Sequence, residues 1–257
     1  MPPDDSNGIA CRGPGLGLGL EAAADPNDPH IKGVPPYLRD VYRWAYLEPM
    51  ALTVFDHQAM VSAILWGNYH RLARSVLDEL RPGDHALQLA SVYGPFSLQL
   101  LEALGPTGKL DVVEIAPVQI ERCRRLLADY PGARVIAGDA ATPPEGPYQS
   151  VISFFLLHEV PEDYKARIVD ATLSRLAPGG RAVFVDYHQP SRWHPLRLVM
   201  AGVFAALEPF ARILWTREIA DYAPAYALDP KAFRWRKQTF FGGMYQKVLV
   251  ERIESQA

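Results

Sequence analysis

The feature that most constrains the fold is an alternation of short β-type runs with helical stretches in the middle of the chain. Continuous apolar runs are typical of buried strands, and apolar positions spaced three to four residues apart are typical of helices. Strands that alternate with helices form βαβ units, whose right-handed crossovers build a parallel sheet. Strands are predicted at 85–90, 110–115, 134–137, 150–155 and 181–186, and helices at 95–104, 117–130 and 162–176.

The segments on either side of this core have their own patterns. Residues 1–36 are rich in glycine and proline and are predicted to form a disordered leader before a single domain over 37–257. Helical spacing predicts a helical cap over 37–80, and an apolar stretch over 195–215 predicts an amphipathic helix. The charges at Arg197, Glu208 and Arg212 argue against a membrane span in that stretch. The domain is thus predicted to consist of a helical cap over 37–80, a core over 85–186, a helical insertion over 190–236 and a closing strand pair over 237–251.

Composition excludes several classes of protein. A chain of 257 residues that is 49% hydrophobic can bury a sizeable core, and a net charge of −3 argues against a nucleic-acid partner. The two cysteines, Cys11 and Cys123, are too few for a disulfide framework, which favours a reducing, cytoplasmic compartment. Cys123 falls on an apolar helical face, where a buried and unreactive thiol is expected.

The turn after the first strand is a candidate nucleotide-binding loop, because ligands of doubly wound sheets bind at the carboxyl ends of the strands. At this place class I S-adenosylmethionine (SAM) methyltransferases have an acidic residue followed by G-x-G-x-G. Here Gln88 holds the acidic position, Ala90 and Val92 replace two glycines, and Gly94 remains. The G-x-G-x-x-G pattern of nicotinamide dinucleotide proteins is absent from this turn.

Acidic residues end the next two strands. Glu114 lies 20 residues after Gly94, where a carboxylate can accept hydrogen bonds from ribose hydroxyls. Asp139 ends the third strand, where methyltransferases often place an acid near the adenine amino group. An acid at a strand end is by itself usually a helix cap or a solvated charge, so it is the order and spacing of these features that favour a SAM-type fold. The expected SAM-binding residues are Gln88, Ala90, Gly94, Glu114, Ile115, Asp139, Ala140 and Phe155.

A polar cluster is expected beyond the fourth and fifth strands. His158 and Glu159 follow the fourth strand, and Asp186, Tyr187 and His188 lie at the end of the fifth. Imidazole and carboxylate groups suit Mn²⁺, Fe²⁺ or Zn²⁺, and the same groups can serve as general acid and base. The expected metal ligands are His158, Asp186 and His188; the expected catalytic residues are these three with Tyr93, Glu159 and Tyr187.

These motifs together resemble the rhodoquinone biosynthesis (RquA) family, whose fold is that of class I methyltransferases. The resemblance spans about residues 36–251 and rests most on the altered glycine loop around Gln88 and Gly94, and on the segments 156–159, 185–188 and 240–247. It implies conversion of ubiquinone to rhodoquinone, in which an amino group replaces a ring methoxy group. It also implies SAM as the amino donor and a requirement for Mn²⁺. Because such a quinone is insoluble in water, we expect peripheral contact with the inner membrane.

Gln88 makes this departure from methyl transfer physically sensible, because a neutral side chain there does not stabilise a protonated, unreactive amine. The isoprenoid tail of the quinone is expected to lie along the 195–215 helix and the aromatic helix over 37–46. Two alternatives remain open at this stage. One is a conventional SAM-dependent methyltransferase acting on a quinone or another hydrophobic small molecule, and the other is a non-catalytic scaffold that binds SAM or a quinone.

Overall fold

The computed structural model describes Pro35 and residues 62–254, and these residues contain a seven-stranded sheet. The strands are β1 (His85–Leu89), β2 (Lys109–Glu114), β3 (Ala133–Ala137), β4 (Tyr148–Phe154), β5 (Leu176–Tyr187), β6 (Phe233–Phe240) and β7 (Tyr245–Arg252). Their order across the sheet is β3-β2-β1-β4-β5-β7-β6. The first five strands are parallel, and β7 runs antiparallel to both β5 and β6. The predicted parallel sheet and closing strand pair are therefore confirmed.

Helices cover both faces of this sheet. They are α1 (Tyr69–Leu77), α2 (Phe96–Leu104), α3 (Pro117–Leu126), α4 (Glu162–Ser174) and α5 (Arg197–Ala206), with 3₁₀ turns at Leu157–Glu159, Arg212–Trp215, Ile219–Tyr222 and Ala225–Leu228. Pro117 occupies the first position of α3, where its missing N–H costs no hydrogen bond. The apolar residues of α1, α2, α3 and α5 pack on one face, and those of α4 pack on the other.

The central strands β1, β2, β4 and β5 are buried on both faces, as the continuous apolar runs predicted, whereas the outer strands β3 and β6 are partly exposed. In β4, Ile152 packs with the α1 side of the sheet while Val151 packs with the α4 side. The same alternation places Val183 and Phe184 of β5 on opposite sides. Because successive side chains of a strand point to opposite faces, one run of branched and aromatic residues supplies two hydrophobic cores. The sheet is thereby covered by helices on both sides, and its carboxyl edge is left for a site.

The region predicted as one long helix over 195–215 differs from that prediction in two ways. Helix α5 ends at Ala206, because Pro209 follows closely and a proline cannot continue a helix; a separate 3₁₀ turn covers Arg212–Trp215. The helix also lacks the polar face that an amphipathic helix needs. Its exposed residues are Leu198, Val199, Gly202, Ala205 and Ala206.

Several other boundaries were displaced. The helical pattern before residue 80 is interrupted at Trp66 and Gly67, which both have positive φ, and α1 begins only at Tyr69. Strand β5 starts at Leu176, where the helix predicted over 162–176 was expected to end, and five residues before the predicted strand start at 181. The predicted aromatic helix over 37–47 and the leader, apart from Pro35, lie outside the described residues. Across the described part of the chain, no helix has the length and apolar character to cross a bilayer.

Candidate functional site

The loop after β1 keeps the backbone shape of a glycine loop although most of its glycines are replaced. Ala90 has a φ of 62°, in the left-handed region that glycine adopts at no steric cost, and Gly94 has a φ of 84°. The Ala90 N–H donates to the Val113 carbonyl oxygen of β2 at 2.9 Å. A non-glycine residue in this conformation stores about 1 kcal/mol or more of strain. Ala90 therefore differs from the glycine pattern in residue type but keeps a backbone conformation that favours glycine.

Gln88 lies beneath this loop and is fully buried. Its amide oxygen accepts a 2.8 Å hydrogen bond from the Ser97 hydroxyl of α2, and its amide nitrogen donates at 3.0 Å to the Ala90 carbonyl oxygen. The Gln88 side chain therefore braces the loop from within. Its role toward the cofactor stays a prediction. Gln88 can affect cofactor binding indirectly, because it fixes the shape of the loop.

Arg122 holds the outer part of the same loop and was not singled out from the sequence. Its guanidinium, on α3, donates to the carbonyl oxygens of Val92 at 3.2 Å and Gly94 at 3.0 Å, and it lies 5.6 Å from the ring centre of Tyr93. The only sequence signal was a charged residue among the inward-facing positions of α3. Burial raises the pKa of the Tyr93 hydroxyl, and the Arg122 charge partly opposes that rise.

Glu114, at the end of β2, is buried and saturated with hydrogen bonds. One carboxylate oxygen accepts from the backbone N–H and the hydroxyl of Ser91, at 2.8 and 3.0 Å. The other accepts from the N–H groups of Ile115 and Ala116, at 2.8 and 2.9 Å. Burial raises the pKa of Glu114, although these bonds favour its charged form. Glu114 thus ties the β1 loop to β2, and its predicted bond to a ribose needs Ser91 to give way.

Asp139, which follows β3, also has protein partners. It accepts from the Ala141 N–H at 2.8 Å, forming a turn, and from the Tyr164 hydroxyl of α4 at 3.2 Å. Ala140 and Ile115 are half-buried beside the two acidic residues. The carboxylates of Glu114 and Asp139 therefore lie at the same carboxyl edge as the β1 loop, the arrangement in which the adenosine part of SAM would be held.

The most distinctive part of the site is a buried pair formed by His158 and Asp186. The His158 Nδ1 lies 3.0 Å from one Asp186 carboxylate oxygen, and the backbone N–H groups of His158 and Tyr187 donate to the same carboxylate at 3.2 and 2.7 Å. Burial alone would lower the pKa of His158, but the Asp186 charge outweighs it and raises that pKa to about 9. The sequence predicted that these two residues converge, and they do.

The orientation of His158 follows from this contact. A carboxylate can only accept, so Nδ1 carries the proton that Asp186 binds, and Nε2 is turned away from Asp186. Nε2 lies 3.8 Å from a carboxylate oxygen of Glu159. That distance is too long for a hydrogen bond. Nε2 is the atom of this pair that can donate to a ligand.

Aromatic side chains surround the imidazole. Phe155, which has a positive φ of 54° directly after β4, lies 5.9 Å from His158 between ring centres, and Tyr187 lies 4.9 Å from it. Tyr245 of β7 continues the cluster, 5.6 Å from Tyr187. Burial holds the pKa of the Tyr187 hydroxyl well above its usual value. Such an edge of rings beside one donor suits a flat, largely apolar ring that carries an oxygen atom.

His188, the third predicted metal ligand, takes part in a different contact. Its Nδ1 lies 2.8 Å from the Gly243 carbonyl oxygen, and its Nε2 lies 3.3 Å from the Lys237 ammonium, which is paired with Glu218 at 2.7 Å. Among residues 62–254 no three histidine, cysteine, aspartate or glutamate side chains are grouped as metal ligands. The donor set present in this region does not fit the expected Mn²⁺, and we derive no chemical step through a metal.

Lys165 anchors the loop that carries His158. It is fully buried on α4, and its ammonium donates to the carbonyl oxygens of Val160 and, at 3.2 Å, Phe210. Burial lowers the pKa of Lys165 to about 8. Sequence reasoning passed over this residue because a lysine in the first turns of a helix is ordinarily solvated. It fixes the 156–161 loop against the segment after α5.

The sheet order, the loop after β1 and the acids at the ends of β2 and β3 define the class I SAM-dependent methyltransferase fold. Residues 86–180 match the family model described as "Methyltransferase domain". Solved structures of similar fold include the pyocyanin biosynthetic protein PhzM, with a TM-score of 0.57 at 16% identity over 82% of this chain and 64% of that one. The mitomycin 7-O-methyltransferase MmcR gives 0.58 at 18% identity, over 80% of this chain and 58% of its own.

Two curated proteins are similar in sequence. Protein-L-isoaspartate O-methyltransferase of Ignicoccus hospitalis is 31% identical over 116 residues, which are 44% of this chain and 51% of that protein. Ubiquinone/menaquinone biosynthesis C-methyltransferase UbiE of Pseudomonas putida is 26% identical over 171 residues, 63% of this chain and 66% of that protein. The chain thus spans about half of the first relative and just under two thirds of the second. These findings support the fold and a similarity of residues 86–180 to methyltransferase domains, and the narrower rhodoquinone resemblance stays a proposal.

Proposed function

We propose that this protein is a SAM-dependent transferase whose acceptor is a quinone-class ring, and that methyl transfer is its principal reaction. The observation that carries the proposal is the His158–Asp186 pair, whose Nε2 faces away from Asp186 among aromatic side chains at the carboxyl edge of the sheet. The quinone class is supported by the similarity to the Pseudomonas putida C-methyltransferase. SAM, when bound, supplies the transferred group.

In this proposal one group of residues binds the cofactor and another binds the acceptor. The loop held by Gln88 and Arg122 is proposed to position the cofactor through its backbone, and Glu114 and Asp139 to bind its adenosine part once Ser91 releases Glu114. His158 donates from Nε2 to an oxygen atom of the ring. That hydrogen bond orients the ring so that its nucleophilic atom would face the methyl group of SAM, and the proton that this atom loses passes to solvent.

The acceptor ring is positioned by aromatic contact. Phe155 and Tyr187 flank His158, so a flat ring that bonds to Nε2 can pack against both. Asp186 contacts His158 and two backbone N–H groups, which fixes the orientation of the imidazole. It acts as a positioning residue. Tyr93, Glu159 and His188 remain predicted participants without a contact that assigns them a step.

Transfer of an amino group from SAM to the ring is the second candidate. The observation that favours it is Gln88, a neutral residue at the position where methyltransferases have an acid, together with the family resemblance. Hydrogen bonding of a ring carbonyl oxygen to His158 would make the ring carbon more electrophilic, which suits attack by a neutral amine with methoxide as the leaving group. The C–N bond between the transferred nitrogen and the SAM skeleton is broken in a later step. In methyl transfer the same hydrogen bond only orients the ring, and the product distinguishes the two reactions.

The test is product analysis with doubly labelled SAM. Purified full-length protein is incubated with SAM labelled in the methyl carbon and in the α-amino nitrogen, and with one of three acceptors: ubiquinone, its reduced form, or a reduced quinone that has an unsubstituted ring position. Methyl label in the ring product with S-adenosylhomocysteine confirms the principal proposal, and nitrogen label in an aminoquinone establishes the second candidate instead. The absence of both labels, in the presence of measurable SAM binding, would favour the non-catalytic scaffold.

We also propose that the protein works in the cytoplasm in peripheral contact with the inner membrane, where quinones reside. The apolar exposed side of α5 supports this placement. Fractionation of cells that express the full chain tests it: recovery with the membranes at low salt, and release by high salt or carbonate, is the expected result. Recovery in the supernatant at low salt would contradict it.

A further inference from the structure

We propose that Tyr245 is a specificity-determining residue, whose hydroxyl donates a hydrogen bond to a second oxygen atom of the acceptor ring while His158 binds the first. The inference rests on the proposed function, because it needs a ring acceptor bound to His158. The observation that carries it is a buried hydroxyl with no partner. Tyr245 is fully buried, and within the part of the chain that the structure describes its hydroxyl makes no hydrogen bond.

Tyr245 lies in the same aromatic cluster as His158. It is directly opposite Tyr187 in the pairing of β5 with β7, and both side chains pack on the α1 side of the sheet. The rings of Phe155 and Tyr187 lie 5.8 and 5.6 Å from that of Tyr245, and 5.9 and 4.9 Å from that of His158. A flat ring packed on Phe155 and Tyr187 therefore has two hydrogen-bond donors beside it.

The surroundings of the Tyr245 hydroxyl leave a ligand as its natural partner. Nearly all buried polar groups in proteins are hydrogen-bonded, and an unpartnered one costs stability. The aromatic neighbours of Tyr245 are Phe155, Tyr187 and Phe241, the last with its ring centre 6.2 Å away. A buried water needs several polar partners, which aromatic rings do not supply. An oxygen atom on a bound aromatic ring needs only the one donor.

Access to Tyr245 is controlled by two phenylalanines. Phe155 and Phe241 are half-buried, and both have a positive φ, of 54° and 48°. Bulky residues rarely adopt this conformation, and strained backbone is concentrated at ligand clamps and active sites. A ligand reaches the hydroxyl when one of these partly exposed rings moves aside. Burial raises the pKa of Tyr245, so the hydroxyl keeps its proton and can donate at neutral pH.

This second donor narrows the class of acceptor. A ring with oxygen atoms at two positions can bind both His158 and Tyr245, whereas a ring with one such oxygen leaves the Tyr245 hydroxyl unpaired. A site built to hydrogen-bond a substrate group discriminates strongly against an analogue that lacks the group. We therefore expect the acceptor to carry a second ring oxygen, as a carbonyl or a hydroxyl group.

The experiment compares two ligands by calorimetry, using the full-length protein saturated with S-adenosylhomocysteine under argon. One ligand is the reduced ubiquinone ring without its isoprenoid tail, and the other is the matching phenol, which lacks the second ring oxygen. The unaltered protein should bind the quinol about tenfold more tightly than the phenol, the size of one hydrogen bond. Tyr245→Phe should lose this preference and bind the phenol as the unaltered protein does.

Thermal unfolding distinguishes ligand recognition from a structural role. Tyr245→Phe removes an unpartnered buried hydroxyl, so the unfolding midpoint without ligand should stay unchanged or rise. Tyr148→Phe is the matched control: Tyr148 is buried at the start of β4, at the opposite edge of the sheet, and its hydroxyl donates to Asp111 at 2.9 Å. That variant should lower the midpoint by about 2–4 °C and leave quinol affinity unchanged.

Equal quinol affinities of Tyr245→Phe and the unaltered protein would overturn the inference and leave the proposed function in place. A midpoint lowered in Tyr245→Phe as far as in Tyr148→Phe would also overturn it, because the hydroxyl would then have a partner in the protein. If the unaltered protein bound neither ring, this inference and the quinone acceptor of the proposed function would both be wrong. The labelled-product assay tests the transfer reaction independently of Tyr245.

Discussion

The Gln88 side-chain amide donates a 3.0 Å hydrogen bond to the carbonyl oxygen of Ala90. The same amide accepts from the Ser97 hydroxyl at 2.8 Å, so it joins β1, the loop and α2 at one buried point. A carboxylate in this place could accept from Ser97 but could not donate to Ala90. The neutral side chain therefore has a structural reason that is independent of which group the protein transfers.

Gln88→Glu should weaken cofactor binding, because two oxygen atoms would face each other where one hydrogen bond now fixes the loop. We expect about a tenfold loss in affinity for S-adenosylhomocysteine, the size of one lost hydrogen bond. Isothermal titration calorimetry measures it. Lowering the pH to protonate the new carboxyl should bring the affinity of the variant closer to that of the unaltered protein; a constant difference in affinity would argue against the hydrogen-bond explanation.

Gln88→Asp, assayed for product in parallel, tests the hypothesis that a neutral residue 88 keeps the amine of SAM unprotonated. Retained amino transfer in this variant would show that Gln88 does not have that role.

Ala90→Gly should raise the free energy of unfolding, by up to about 1 kcal/mol, because glycine relieves the strain of the positive φ at this position. Denaturant unfolding followed by circular dichroism measures the change. Ala86→Gly, at a buried position of β1, is the control and should be destabilising. If both substitutions lowered stability equally, the left-handed conformation of Ala90 would be in doubt.

Arg122→Met should loosen the loop while keeping the apolar stem of the side chain, since it removes both donors to the Val92 and Gly94 carbonyl oxygens. We expect affinity for S-adenosylhomocysteine to fall by roughly ten- to a hundredfold. Calorimetry with Arg124→Met, an exposed position on the same helix, gives the comparison. Equal affinities of the two variants would show that the loop holds its shape without Arg122.

Asp186→Asn should remove a pH dependence of stability. The pKa of His158 is raised to about 9 in the folded protein from a usual 6.5, so the pair stabilises the fold fully below pH 6.5, and the contribution is lost as the pH rises through 9. We expect the unaltered protein to lose on the order of 1–3 kcal/mol between these values. Unfolding at a series of pH values measures this loss.

The variant should show a flatter profile and, in an imidazole NMR titration, a lower pKa for His158. Asp78→Asn, which breaks an exposed pair with Arg74, is the control and should leave the profile unchanged. An unaltered profile in Asp186→Asn would mean that His158 is not held protonated by Asp186.

The sequence was sufficient to predict the parallel sheet, because runs of branched and aromatic residues alternate with segments of helical spacing throughout the core. It also brought His158 and Asp186 together, since parallel strands end at one edge. It could not show that the side chains of Asp186 and His188 lie in different contacts. Strand β5 ends at Tyr187, and the chain then turns so that His188 contacts Gly243. Nor could it assign Arg122, since periodicity shows that a residue faces inward but not which carbonyl oxygen it reaches.

The α5 region shows a second kind of limit. Charges at Arg197, Glu208 and Arg212 made the segment look amphipathic, yet two of them fall beyond the last residue of the helix. The helix ends before Pro209, so Glu208 lies outside it and the exposed side of the helix carries no charge. Helix ends are set by local backbone chemistry that a hydrophobic pattern averages over.

The triple fixation of the β1 loop, by Gln88, Glu114 and Arg122, has a consequence for the thermodynamics of ligand capture. A loop that is already ordered loses little conformational entropy when a ligand arrives. Apart from the contact of Ser91 with Glu114, which a ribose would displace, binding to such a loop should be fast and close to rigid-body, with the ordering completed during folding. Substitutions that weaken the fixation would therefore show first as a more unfavourable binding entropy, before any hydrogen bond to the ligand itself is lost.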